Sequence, residues 1–314
     1  MIAYTVRRLI VLIVTLFLVS ILIFAVINIV PGDPAQIILG TEATPETLAR
    51  VRAKLGLDRP AVVRYIEWLK NIILHGDFGR SINYDRPISE LIANRLLVTG
   101  PLAGMAILFT MIIAIPLGIY AATHHNRPGD YGTMIFSQIG LAIPEFWTGI
   151  LLILGFAVHW HLVPAGGFTP WEKPLESLRS LLLPALALGF TRAAVITRLT
   201  RSSMLEVLRE DYIKTAWSKG LPSRLVIYKH ALRNASISVV TILGLQLGYL
   251  LAGTIIIETV FYLPGMGRLV MNAIFQRDLP VVQGVVLFIA TVIVIVNFIV
   301  DLLYGLLDPR IRYD

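Results

Sequence analysis

The sequence predicts an all-α protein that crosses a membrane six times, and three observations predict it. Hydrophobic residues fill 56% of the 314 positions, and mean hydropathy is +0.75. Only 15% of residues are charged, against roughly 25% in ordinary soluble domains. The apolar residues also gather into runs of about 20 or more, the length a helix needs to cross the hydrocarbon core. Cysteine is absent, which removes disulfide frameworks, thiolate nucleophiles and cysteine metal sites together. The net charge of +7 has the sign that nucleic acid attracts, but no aromatic and basic platform or reading helix accompanies it. Membrane proteins gather Lys and Arg on the cytoplasmic side, so nucleic acid is not expected as a partner and the bilayer is.

The first span is expected over 9–30, preceded by Arg7 and Arg8. It is too long for a signal-peptide core and ends in Asn28-Ile29-Val30-Pro31-Gly32-Asp33-Pro34 rather than a small-residue cleavage site, so it reads as a retained anchor. The second span, 96–123, has no charged residue; its Pro101 and Pro116 are tolerable where neighbouring helices satisfy the freed carbonyls. The third, 131–158, is interrupted only by Glu145. The fourth, 180–200, is the weakest because it contains Arg192 and Arg198. The fifth and sixth, 235–257 and 279–300, are clean. Six crossings place both termini on one side. With cytoplasmic termini, fourteen of the 27 Lys and Arg residues are cytoplasmic and the two short outer loops hold only Lys173, Arg179, Arg268 and Arg277, so the termini are expected in the cytoplasm.

This divides the chain into a tail and first span (1–31), an extracytoplasmic helical cap (32–95) and a five-span core (96–314) with a cytoplasmic loop at 201–234. In the cap, Thr44 can cap a helix that starts at Pro45 and stops at Gly56. A second helix over 60–74 carries Val63, Ile66, Trp68, Leu69 and Ile73 as an apolar stripe of helical period, closed by Gly76. A third begins near Pro87 and feeds the second span. The cap reads as a packing cover or as a docking surface.

The loop is the most polar stretch of the core. Residues 202–208 continue the fourth span, 211–219 form a short helix, and Gly220 suits a left-handed cap because it lacks a side chain. Leu221, Pro222 and Ser223 restart the chain, and 224–234 lead into the fifth span. Ile213, Ala216 and Trp217, like Leu225, Tyr228 and Leu232, recur at helical spacing. Such a face lies against its own bundle or presses into another protein.

The stretch "KTAWSKGL" followed by "HALRNA" resembles the loop motif of ABC importer permease subunits, in the variant found in peptide and nickel permeases. Lys214, Thr215 and Ala216 stand where the general motif has Glu-Ala-Ala, and Gly220 is retained; that departure is usual in the peptide and nickel branch. The resemblance runs along nearly the whole chain: "VPGDPA", "LGLDRP", "GDFGRS", "RLTRSSMLEVLREDY", "ETVFYLPGMGRL", "RDLPVVQG" and "DLLYGLLDPRIRY" occur in order. It implies the type I ABC importer permease fold. It also implies a coupling helix that inserts into a groove on an ATP-hydrolysing subunit, with Asp211, Lys214, Thr215, Ala216, Trp217, Lys219, Gly220 and Leu221 as the coupling residues. The implied partners are a homologous second permease, two ATP-binding subunits and an extracytoplasmic substrate-binding protein. The implied cargo is a dipeptide or oligopeptide, or a related solute such as a nickel chelate or glutathione.

No G-x-x-x-x-G-K-[ST] occurs, so ATP and Mg belong on partner subunits and this chain is expected to bind no cofactor. No nucleophile, base and orienting acid stand out, and the chain does not read as an enzyme. His124 with His125 and His159 with His161 could touch a metal, yet interfacial histidines usually reach toward water, so no metal site is expected. A gradient-driven carrier would show internal repeats and broken spans; no clear repeat is seen.

Glu145 and Arg192 fall inside expected spans, where a charge costs about 2.5 to 3.5 kcal/mol on insertion scales. They are expected to pair, or to line the substrate path. The resembled family more often has an apolar or amide residue at the Glu145 position. Glu258 is a third path candidate at a span end, where placement costs little. It opens "ETVFYLPGMG", which resembles the outer gate region of these permeases, and Pro264, Gly265 and Gly267 would fix a sharp re-entry. Asp301 is expected to bond nearby backbone or Arg310.

Overall fold

The computed structural model describes residues 2–29, 44–54 and 57–307, together with positions 36 and 39. Helix α1 spans Ile2–Ile29, α2 Pro45–Lys54, α3 Ala61–His75 and α4 Ile88–Thr123. Then come α5 at Pro128–Ala142 and α6 at Glu145–Leu152, which runs on into a wide π turn at Ile153–His159. Helix α7 is Pro174–Leu208, α8 is Asp211–Ser218 and α9 is Leu232–Val260. Helix α10 is Met266–Phe275 and α11 is Leu279–Leu307. Among the described residues, five helices are long and apolar enough to cross a membrane, and α5 with α6 make a sixth crossing if the bent pair is one span.

That bend corrects the third span, expected as one continuous helix. Its halves meet at 104°. Pro144 disfavours helical geometry in the residue before it, and Ile143 is extended at φ −85° and ψ 124°. Glu145 therefore opens a new helix. Pro101, Pro116 and Pro184 stay inside continuous helices.

Helix α7 explains why the fourth span looked weakest. It is the most enclosed of the candidate spans, with 67% of its apolar window buried, so its surroundings are protein rather than lipid. It packs along α4 and also touches α5, α6 and α9. A side chain at Gly118 would fall 2.5 Å from Thr200 Cβ, and one at Gly189 would fall 2.9 Å from the Ala106 carbonyl oxygen. Both glycines permit this close approach. Around the seam, Leu102, Leu181, Leu188, Leu250, Ile257 and Phe261 form the central core.

Helix α1 lies against α11. The Tyr4 hydroxyl donates to the Asp301 carbonyl at 3.2 Å and Arg8 pairs with the Asp301 carboxylate at 2.6 Å. The expected partner Arg310 lies outside the described residues; within them, the carboxylate is joined to the first span.

In the cap, the Thr47 N–H donates to Thr44 Oγ1 at 3.2 Å, the expected N-cap. Gly56 and the "VPGDPA" stretch lie outside the described residues. Gly76 closes α3 at φ +63°, where an L side chain is strained, and its N–H donates to the Ile72 carbonyl at 3.0 Å. The apolar stripe of α3 is only partly covered. Trp68 and Leu69 are half-buried, while Val63, Ile66 and Ile73 are exposed. Tyr65 attaches the helix to α1 through a 2.8 Å bond with Ser20 Oγ and an edge-on contact with Phe24. Asp278 fastens the rest of the cap to the start of α11. Fully buried, it accepts from Ser81 Oγ at 2.5 Å and from the Asn83 N–H at 3.1 Å.

Between α8 and α9 the chain makes a turn at Ser223–Leu225 and a second π turn at Val226–Ala231. The helical path thus begins below the expected start of the fifth span. Such turns carry one residue more than a regular helical turn.

Candidate functional site

Helix α8 starts at Asp211, whose negative charge suits a helix N-terminus. The Lys214 ammonium lies 2.8 Å from this carboxylate and holds the Asp211 carboxyl below its usual range. The Thr215 hydroxyl donates to the Asp211 carbonyl at 2.9 Å. Gly220 sits at φ +75°, with its N–H on the Trp217 carbonyl at 2.9 Å and the Leu221 N–H on the Ala216 carbonyl at 3.4 Å. A side chain at Gly220 would meet nothing within 4 Å. The constraint there is the left-handed backbone, not crowding.

The apolar face of α8 is divided between the two alternatives, and its inner part, including the expected coupling residue Ala216, lies against the parent bundle rather than a partner. Ile213 and Ala216 are buried against Met204, Val226, Ala231 and Ile119 of the same chain. Trp217 follows Ala216 by one residue, a turn of about 100° around the helix, and is 42% exposed. Tyr212 and Tyr228 are exposed too, as are Lys214 and Lys219, while Leu221 is half-buried in the cluster. Asn234 donates to the Tyr212 hydroxyl at 2.6 Å. Helix α8 is therefore held to the ends of α7 and α9 while offering an aromatic and basic outer face.

A second group lies at the broken span. Glu145, the first residue of α6, pairs with Arg192 of α7 at 2.6 Å, and each side chain is 15% exposed. Arg192 also donates to Gln246 Oε1 of α9 at 3.3 Å. A side chain at Gly253 would fall 2.7 Å from Glu145 Oε2, so the carboxylate rests against the backbone of α9. The expected pairing is present, and it joins three spans.

The third group is at the opposite end of the bundle from α8. Glu258 is fully buried in the protein, which corrects the expectation of inexpensive placement at a span end. It accepts from Thr99 Oγ1 at 2.6 Å and from the Arg268 N–H at 3.0 Å, and Thr99 Oγ1 accepts from the Met266 N–H at 2.9 Å. The carboxylate thus clamps the start of α10 to α4. The chain turns sharply before it, with Tyr262 at φ +55°. Pro264 accepts from Arg95 at 3.2 Å. A side chain at Gly265 would fall on the Glu258 carboxylate, and one at Gly267 would fall 2.4 Å from Ile255 Cα. Close packing leaves room only for hydrogen at both.

Sequence reasoning missed Asp130. Almost fully buried at the start of α5, it accepts from Arg201 Nε at 2.5 Å and Nη2 at 2.7 Å and from the Asn126 N–H at 3.0 Å. His125 Nδ1 lies 3.2 Å away. The one local sign was an acidic residue just after the Arg127-Pro128 helix start. His124 stacks on Tyr120, and no cluster of three or more His, Cys, Asp or Glu suited to a metal occurs among the described residues.

Residues 114–313 match the family described as binding-protein-dependent transport system inner membrane component, and residues 1–103 match the N-terminal region of such components. The chain belongs to that family. This permease is 41% identical to the dipeptide transport system permease protein DppB of Escherichia coli K12, over 100% of this chain and 99% of that protein. It is likewise 41% identical to DppB of Alkalihalophilus pseudofirmus, with both chains covered completely. A Brucella abortus protein named provisionally as a peptide transport system permease is 44% identical over 95% of each chain. The fold is also that of the MetNI methionine ABC transporter in an inward-facing crystal form. The match has a TM-score of 0.58 and 17% identity over 69% of this permease and 96% of that chain. It is a multi-pass inner-membrane transport component, not an enzyme.

Proposed function

We propose that this permease is the membrane-spanning half of an importer for dipeptides or short oligopeptides. The cargo is read from relatives over 40% identical along their length that are named dipeptide permeases. In this reading a homologous permease completes the path, two subunits hydrolyse ATP with Mg on the cytoplasmic side, and a binding protein delivers peptide from outside. The termini and α8 face the cytoplasm.

The observation that carries the mechanism is the attachment of α8. Ile213, Ala216 and the Asn234–Tyr212 bond hold the short helix to the fourth and fifth spans, while Tyr212, Trp217 and Lys219 face outward. A push delivered to that outer face is transmitted as motion of two spans, because the helix cannot slide on its own support. Closure of the ATPases would move the two permeases between inward and outward access. Glu145 and Arg192 then stand where a zwitterionic cargo could meet opposite charges.

The test is reconstitution with all partners and replacement of Gly220. Gly220→Val forces a β-branched residue into a left-handed backbone, at a cost of about 1 to 3 kcal/mol. The expected result is ATP hydrolysis that continues while peptide uptake per ATP falls several-fold, in a complex of normal composition. Unchanged uptake per ATP would remove α8 from the coupling path.

A further inference from the structure

At the end of the bundle opposite α8, a cavity of about 130 Å³ is lined by Arg95, Pro264, Gly265, Arg268, Leu269 and Asn272. Its polar groups are mostly donors. Arg95 donates to the Pro264 carbonyl at 3.2 Å and Arg268 to the Tyr262 carbonyl at 3.0 Å. A guanidinium carries five N–H donors, so both retain donor capacity at the cavity wall. The acceptors nearby are engaged. The two carbonyls hold the arginines, and the buried Glu258 carboxylate accepts from Thr99 and from the Arg268 backbone. The Met266 N–H at the start of α10 is also engaged, by Thr99. What remains is two cations and one amide side chain around a small space.

Arg268 is also fixed in advance. Its guanidinium lies 3.4 Å from the centre of the Tyr262 ring, so little rotamer freedom is lost when it binds. A planar, donor-rich fork of this kind matches a carboxylate. The volume is well above the roughly 10 to 15 Å³ that a single water needs in a cavity, which leaves space for a carboxylate and the atoms next to it. Asn272 adds a feature that an acidic side chain does not need: an amide that can donate and accept beside the carboxylate, as the last peptide bond of a peptide requires.

We propose that this cavity is a subsite for the C-terminal carboxylate of the peptide as it enters from the extracytoplasmic side. The inference rests on the peptide-importer reading. Because Glu258 at the end of α9 accepts from the Arg268 N–H in the first turn of α10, an occupant held by Arg268 is connected directly to the clamp between α10 and α4.

The experiment uses the complete importer in proteoliposomes with saturating binding protein, and compares uptake of a dipeptide with uptake of its C-terminal amide. The unaltered importer should prefer the free carboxylate. Arg268→Gln should lower uptake of the free dipeptide by roughly tenfold, the scale of losing a charged hydrogen bond, and leave the amide unchanged, so that the preference disappears. Arg268→Lys should fall between the two, and the melting temperature of each variant checks its folding. Equal loss for both peptides, or no loss for either, overturns the subsite. In a parallel titration of binding protein, a tenfold rise in its half-saturating concentration with both peptides also overturns it and assigns the cavity to an acidic side chain of that protein. If the unaltered importer takes up neither peptide, the peptide reading falls and takes this subsite with it.

Discussion

Removal of both charges from the Glu145–Arg192 pair should cost no more than removal of one. The two groups are 2.6 Å apart and each is 15% exposed, so they are mostly but not fully withdrawn from solvent. Breaking a buried pair from one side costs about 3 to 5 kcal/mol, because the surviving charge loses its counter-charge in a poorly solvated place. Residual exposure and the Gln246 amide put this pair at the low end, at about 3 kcal/mol for Glu145→Gln or Arg192→Gln. The double variant leaves no orphaned charge and should cost about 3 kcal/mol rather than the sum of about 6, a coupling of about 3 kcal/mol. At about 2 °C per kcal/mol, each single variant of the complete importer should melt about 6 °C lower, and so should the double. A double variant that lost as much as the two singles added together would show that the pair is not coupled and would refute this account. Exchange of the two charges tests function. If they only pair, Glu145→Arg with Arg192→Glu recovers both stability and uptake, whereas recovered stability without uptake assigns them to the path.

Three further outcomes follow from the geometry. Gly267→Ala should lower the melting temperature and slow uptake, since the new methyl meets the backbone of Ile255 at 2.4 Å; overpacking of this kind costs about 1 to 3 kcal/mol, and full stability in the variant would contradict the close approach. Asp278→Asn should loosen the cap, because one acceptor oxygen for Ser81 and the 82–83 backbone becomes a donor; faster protease cleavage within 76–87, with α8 unaffected, is the expected signature. For Asp211, the folded pKa lies below the ordinary value of 3.8, so its contribution is present above that value and disappears as pH falls through the folded one. Amide exchange in α8, corrected for the intrinsic rate, should therefore show no transition from about pH 5 to 8, and a transition in that window would reject the Lys214 pairing as its cause.

Much of this architecture was legible because it depends on local chemistry. Gly76 and Gly220 mark left-handed positions, Thr44 and Pro45 mark a helix start, and apolar length marks the spans. What was not legible depends on distant partners. Nothing near Glu258 or Asp278 announces that Thr99, 159 residues earlier, or Ser81, 197 residues earlier, will bury them. The same limit hid the link from Asp301 to Arg8. Proline was ambiguous for a related reason: Pro101, Pro116 and Pro184 lie within helices while Pro144 starts a new one, and the outcome depends on whether neighbours satisfy the freed carbonyls. The face of α8 stayed open between two alternatives because spacing identifies which residues align but not whether their partner is the parent bundle.

The π turn at Val226–Ala231 has a geometric consequence for the junction below the fifth span. It sets the azimuth at which α8 is presented, since the extra residue rotates everything before it by about 100° relative to a regular helix. Deleting a single residue between 226 and 231 would restore even winding and swing Trp217 by about 100°, a little over a quarter of a turn, around the axis of α9, so the docking angle is stored in a one-residue excess of chain.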